Sequence, residues 1–161
     1  MADNKTNVMR VLEQKKIPYT AHTYPHGEEA VDGVTVARLT GLDPACVFKT
    51  LVTCGASKRN YVFVIPVAAE LDLKKAAKAA GEKSIAMIHV SEITPLTGYV
   101  RGGCSPIGMK KLFPTFYHES CEGLATMAVS AGKIGAQVEL SPDALITLTR
   151  GRTADLIVQE N

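Results

Sequence analysis

Val47-Phe-Lys-Thr-Leu-Val-Thr53 and Tyr61-Val-Phe-Val-Ile65, with Gly55-Ala-Ser-Lys-Arg-Asn60 between them, decide the architecture. The first run is β-branched and reads as a strand. Alternation puts Val47, Lys49 and Leu51 on one of its faces. The second run is apolar at every position, which a strand tolerates when both its faces are covered. The stretch between them fits a hairpin loop. Two strands in succession with no helix between them argue against a doubly wound parallel sheet.

Outward from this hairpin the same pattern continues. Towards the N-terminus, Val8, Val11 and Leu12 share a helical face that stops before Pro18. Tyr19 to Tyr24 reads as a short strand, and Asp32 to Leu39 as a helix closed by Gly41. Towards the C-terminus, Asp72 caps a helix whose stripe is Leu73, Ala76, Ala77 and Ala80. Ser84 to Ile88 follows as a strand, and Ser91 to Leu96 as a short helix. Strands are expected at Thr115 to His118, Ala125 to Val129, Gln137 to Leu140 and Thr153 to Val158. Ser141-Pro142 opens a last helix that runs to about Arg150. The fold class is therefore α+β: one domain over residues 1–161, with a mixed, largely antiparallel curved sheet or barrel flanked by helices.

Composition narrows the function. At 161 residues the chain buries about 70% of its extended surface, so it needs no metal or disulfide to fold. Its net charge of +2 does not announce nucleic-acid binding, but leaves room for a local basic patch. With no Trp and few other aromatics, a base-stacking platform is not expected. The four cysteines form no C-x-x-C pair, and Met-Ala-Asp-Asn-Lys at the start is no apolar signal region. A reduced, cytoplasmic protein without membrane or metal is expected.

One stretch loses all helix and strand periodicity: Thr97-Gly-Tyr-Val-Arg-Gly-Gly-Cys-Ser-Pro-Ile-Gly-Met-Lys-Lys111. Glycines let backbone approach a ligand, and bare N–H groups in such a loop hold carbonyl, carboxylate or phosphate oxygens. The plainer reading is a long surface turn. Lys49, a cation between apolar neighbours on its own face, either guards a strand edge or grips an anion. His22 and His26 stand four apart, but Pro25 breaks the helix that would converge them on a metal. Tyr24 and His26 are candidates for a pocket wall beside Lys49. Cys104 invites a nucleophile reading, yet no base is fixed beside it, and a small buried side chain is its commoner fate. There is no G-x-S-x-G, P-loop or G-x-G-x-x-G.

These pieces occur in a familiar order. Tyr19 to His26, Val47 to Leu51, Leu71 to Lys75, Thr97 to Gly108 and Val129 to Lys133 together resemble the YbaK/EbsC family of Cys-tRNA(Pro) deacylases. Those are free-standing counterparts of the editing domain of prolyl-tRNA synthetase. The resemblance spans about Met9 to Val158. It implies an enzyme that clears cysteine from mischarged tRNA(Pro), a second sieve where size alone discriminates poorly. It also implies that Lys49 anchors the 3′ end and that the Gly102 backbone holds the aminoacyl group, as the catalytic positions. Tyr24, His26, Gly103, Pro106, Ser130 and Gly132 are implied as the substrate pocket. No cofactor is implied. The partner implied is the tRNA(Pro) 3′ end, and a net charge near neutral suggests an affinity for tRNA that is weak or assisted by a partner such as prolyl-tRNA synthetase. In this resemblance the substrate's own thiol attacks its ester carbonyl, giving a cysteine thiolactone, so no triad is needed. One departure stands out: where family members carry an aspartate, this chain has Gln137, and the aspartate's role is not carried over to it. Two other readings compete, a non-catalytic tRNA-binding or regulatory module of the same fold and a hydrolase using Cys104 or a metal.

Overall fold

The computed structural model describes residues 5–159; the Met1 to Asn4 stretch that opens the chain lies outside the described residues. The chain runs α1 (Asn7–Gln14), β1 (Tyr19–Thr23), α2 (Gly33–Thr40), β2 (Phe48–Gly55), β3 (Asn60–Pro66), α3 (Leu73–Ala80), β4 (Ile85–Met87) and α4 (Val90–Thr97). After the glycine-rich loop come β5 (Thr115–His118), β6 (Met127–Ser130), β7 (Ala136–Leu140), α5 (Pro142–Thr149) and β8 (Arg152–Ala154). Helix starts follow the expected chemistry. Asp32, Asp72 and Ser141 each accept an orphan N–H of the first turn of α2, α3 and α5, and Thr6 does so for α1. Gly41 and Gly81 end α2 and α3 in the left-handed conformation. Among the described residues no helix is long and apolar enough to cross a membrane.

The strands form two sheets. Five lie in the order β4-β2-β3-β5-β8 and three in the order β1-β7-β6. Antiparallel pairs dominate, as expected, but β3–β5 and β5–β8 are parallel. A bridge between Val47 and Ala128 stitches the two sheets together. The β2–β3 hairpin holds the register Lys49 to Ile65 through Cys54 to Asn60. Alternation on β3 serves two cores. Val62 and Val64 face the large core between the sheets, with α1 (Val8, Leu12), Tyr117 and α5 (Leu145) closing it. Tyr61, Phe63 and Ile65 face a smaller core under α3, with Ala76, Ala77 and Phe116. The expected double coverage of this strand is what the fold contains.

The final strand corrects the sequence reading. In place of Thr153 to Val158, β8 ends at Ala154, and only Ile157 bridges onward, to Leu71. The reason is local. Asp155 turns out to pair with Lys75 at 2.9 Å, and Leu156 is fully buried. Its N–H goes to His118 Nδ1 at 3.2 Å and its carbonyl to Asp72 N–H at 2.8 Å. The backbone bonds that would extend the strand are taken by a side chain and a helix cap.

Candidate functional site

A cleft of about 430 Å³ opens along the first half of β2, beside the Val47–Ala128 bridge between the two sheets. Lys49, Thr50, Arg101, Gly102, Cys104 and Ser130 line it with Val31, Gly33 and Ile93. Segments far apart in sequence thus meet: the β2 strand, the glycine-rich loop and the end of β6. The apolar remainder comes from the segment before α2, from β4 and from α4.

Lys49 is half-buried and forms no ion pair among the described residues. Burial pulls its pKa below the usual lysine value, and the Glu70 carboxylate only partly offsets this. A desolvated cation facing a cleft is stabilised by any anion that enters. Beside it, Thr50 Oγ1 is buried with no hydrogen-bond partner. Ser130 is buried, and its Oγ accepts the Gly132 N–H at 3.1 Å. That bond fixes the hydroxyl and leaves its proton to donate.

The glycine-rich loop supplies backbone. Gly102 has φ +85°, and a Cβ there would sit 2.6 Å from Ala30 Cβ, so conformation and space both require glycine. The Gly103 N–H is used, donating to Val100 O at 2.9 Å. Among the described residues no protein acceptor takes the N–H of Gly102 or Cys104, and both residues line the cleft. Free amides at a cleft wall suit an oxygen that gains negative charge. The Cys104 thiol is the wrong nucleophile for this setting. Burial pushes its pKa up to about 11, with only the Thr97 hydroxyl acting against the shift.

The remaining sequence candidates stand behind the lining. Gly103 is buried, and a Cβ there would lie 2.9 Å from Lys133 Cα, so it lets the two glycine loops touch backbone to backbone. Gly132 (φ +97°) lies against Tyr99 and Val8. Tyr99 in turn donates its hydroxyl to Ile107 O. Pro106 is buried in the loop. Tyr24 is 5% exposed, and its N–H donates to Gly135 O at 3.0 Å. The Tyr24 and His26 rings meet edge-on at 6.4 Å, and the His26 ring covers Gly135. These residues brace the loops against each other.

Gln137 stands opposite Ser130 in the β6–β7 ladder and opposite His22 in the β1–β7 ladder. It is 6% exposed, and its Oε1 has no partner. The His22 ring instead meets Glu139 at 2.9 Å. Thr50 was not singled out from the sequence. A threonine next to a strand lysine carries no signal of its own, and only the folded cleft shows its oxygen unpartnered.

The family described as "Aminoacyl-tRNA editing domain" matches residues 28–148, a span that holds Lys49, the glycine-rich loop and Ser130. A protein of Enterococcus faecalis (strain ATCC 700802 / V583), named "Putative Cys-tRNA(Pro)/Cys-tRNA(Cys) deacylase EbsC", is 46% identical over 156 residues, covering 97% of this chain and 95% of its own length. Among solved structures, "Crystal structure of a putative trans-editing enzyme for prolyl tRNA synthetase" superposes with TM-score 0.82 at 24% identity, covering 98% of this chain and 100% of that one. "Crystal structure of hypothetical protein APE2540" superposes with TM-score 0.84 at 21% identity, covering 95% and 100%. At these identities the two structures speak for the fold.

Proposed function

The chain belongs to the aminoacyl-tRNA editing domain family, and we propose that it releases cysteine from mischarged Cys-tRNA(Pro) in the cytoplasm. The observation that carries this reading is the pairing of an unpaired, desolvated Lys49 with two unused amides at Gly102 and Cys104 across one cleft. The relative's name includes Cys-tRNA(Cys), and the same chemistry accommodates that ester.

In this reading Lys49 takes a phosphate oxygen of the 3′-terminal nucleotide as a point charge. The ester carbonyl faces Gly102 and Cys104. Thr50 Oγ1 and the Ser130 hydroxyl meet the polar atoms of the aminoacyl group, which removes the cost of an unpartnered buried oxygen. The substrate thiol gives its proton to water, and its sulfur attacks the ester carbonyl. The oxygen of the tetrahedral species takes the negative charge and is held by the free amides. The bond to the 3′ oxygen then breaks, that oxygen takes up a proton, and cysteine thiolactone and free tRNA leave. The protein contributes orientation, worth several kcal/mol in a well-placed intramolecular attack. Gln137 has no step in this scheme, since a carboxamide neither takes a proton nor balances a cation.

The test is single-turnover deacylation of Cys-tRNA(Pro) by wild type, Lys49→Ala and Cys104→Ala. The expected result is a loss of about 100-fold or more for Lys49→Ala, with Cys104→Ala close to wild type. Loss of turnover on removing the Cys104 thiol would replace the reading with a protein nucleophile.

A further inference from the structure

A second concave surface, of about 710 Å³, lies away from the cleft. The topology creates it. β3, β5 and β8 run parallel, so their N-terminal ends gather at one edge of the sheet. The segments arriving there bring Lys58 and Arg59 from the hairpin, Lys111 from the end of the glycine-rich loop, and Arg150 and Arg152 around the start of β8. All five are exposed, and among the described residues no carboxylate lines the groove. Among the described residues none of the five forms an ion pair. Glu82 lies by Arg59 but is already engaged by Ser57 and the Tyr61 hydroxyl. Five of the chain's 18 Lys and Arg residues thus gather in one groove with no lining carboxylate among the described residues to offset them, a local positive patch that the net charge of +2 does not reveal.

We propose that this groove docks the sugar-phosphate backbone of a structured RNA, and, resting on the deacylase reading, that the RNA is the body of the tRNA whose 3′ end occupies the cleft. Three observations select phosphate backbone over other ligands. Three of the five cations, Arg59, Arg150 and Arg152, are arginines, and the guanidinium fork matches phosphate oxygens. The groove's aromatic residues, Tyr61, Phe113 and Phe116, are each at most 8% exposed and offer no face for unpaired bases to stack on. The separation also fits an elongated polyanion. Cys54 pairs with Asn60 at the groove, and Lys49 lies five residues back along β2. At about 3.3 Å per residue that is roughly 17 Å, too far for a single nucleotide and within reach of a strand leading into a duplex.

The test measures binding of an uncharged tRNA transcript and of an RNA trinucleotide carrying its 3′-terminal sequence, across a range of salt. The proteins are wild type, Lys111→Gln/Arg152→Gln, Arg150→Asn and the distant control Lys15→Gln. Asparagine tolerates the left-handed backbone of Arg150 (φ 56°), so that variant keeps the fold. The expected result is tRNA affinity about tenfold lower in the double variant. Its plot of log K against log salt should be shallower by about 2, one for each lost phosphate contact. Arg150→Asn changes in the same direction, while Lys15→Gln and all trinucleotide affinities stay at wild-type values. Unchanged affinity and slope in both groove variants overturns the proposal, as does a wild type that binds no tRNA. Groove-dependent tRNA binding by a wild type that cleaves no aminoacyl ester supports the docking surface while removing the deacylase reading.

Discussion

At the scale of single residues, the site is built from groups left unsatisfied. Among the described residues Lys49 forms no ion pair, Thr50 Oγ1 and Gln137 Oε1 have no hydrogen bond, and the Gly102 and Cys104 amides have no protein acceptor. Most buried polar groups in folded proteins are paired, so a cluster of unpaired ones marks a place where a ligand completes the structure. Such a site costs stability until occupied. Replacing Lys49 with methionine keeps the side-chain length and removes the desolvated charge. We expect Lys49→Met to raise Tm by about 2 °C and to abolish deacylation, read by thermal unfolding beside the single-turnover assay. A lower Tm would mean that the ammonium holds the fold together. Lys49 was legible in the sequence because a charge between apolar strand neighbours breaks the alternation. Thr50 was not, because nothing about its own position breaks a rule.

At the scale of elements, the two glycine loops work as one unit. The loop from Gly98 to Lys111 and the turn from Ala131 to Gly135 touch through Gly103 and the Lys133–Ile134 backbone. Tyr99 adds a second contact, lying against Gly132 and reaching Ile107 O. The family resemblance implied Gly103 and Gly132 as part of the pocket. The structure gives their lack of a side chain another use, the close approach of two loops. A methyl group on Gly103 would meet backbone that cannot rotate away. Gly103→Ala should therefore cost on the order of 1–3 kcal/mol and slow deacylation by about 100-fold, through displacement of Gly102. Chemical denaturation and single-turnover rates measure the two effects. Normal turnover in this variant would uncouple the loops from the site. The caps of α3 and α5 and the hairpin were legible, since Asp72, Ser141 and the β2–β3 alternation carry local signals. The parallel β3–β5–β8 pairing was not, because register between distant strands leaves no local pattern.

At the scale of the whole molecule, the α+β class followed from the succession of strands and helices and the family from the order of the motifs, and the comparisons find both. What composition hid was the distribution of charge, since a net value of +2 averages the basic groove away. The pH dependence of stability is also a whole-molecule property. Burial lowers the His118 pKa below its ordinary 6.5, and Nδ1 accepts the Leu156 N–H, which an imidazolium cannot do. The unfolded chain takes up this proton first, so stability falls as pH drops below 6.5. Glu139, held low first by the Thr126 hydroxyl and then by His22, and Asp155, held low by Lys75, favour their ionised forms in the fold. Their contribution is present above the ordinary carboxylate range and is lost as pH falls through their lowered values. Tm should therefore decline in two stages on acidification, the first on the order of 2–4 °C. His118→Asn, whose Oδ1 can accept the Leu156 N–H, removes the first stage and leaves the second. A first stage that survives in His118→Asn would assign it to another group.

The central claim is that the substrate's thiol performs the attack while the protein supplies an anion anchor and free amides. Single-turnover deacylation of Cys-tRNA(Pro), Ala-tRNA(Pro) and Ser-tRNA(Pro) by the wild-type protein tests it most directly. Rapid release of cysteine, with the alanyl and seryl esters left intact, is the predicted result. Cleavage of the alanyl ester at a comparable rate would contradict it, because that substrate has no thiol and the attack must then come from water or from the protein.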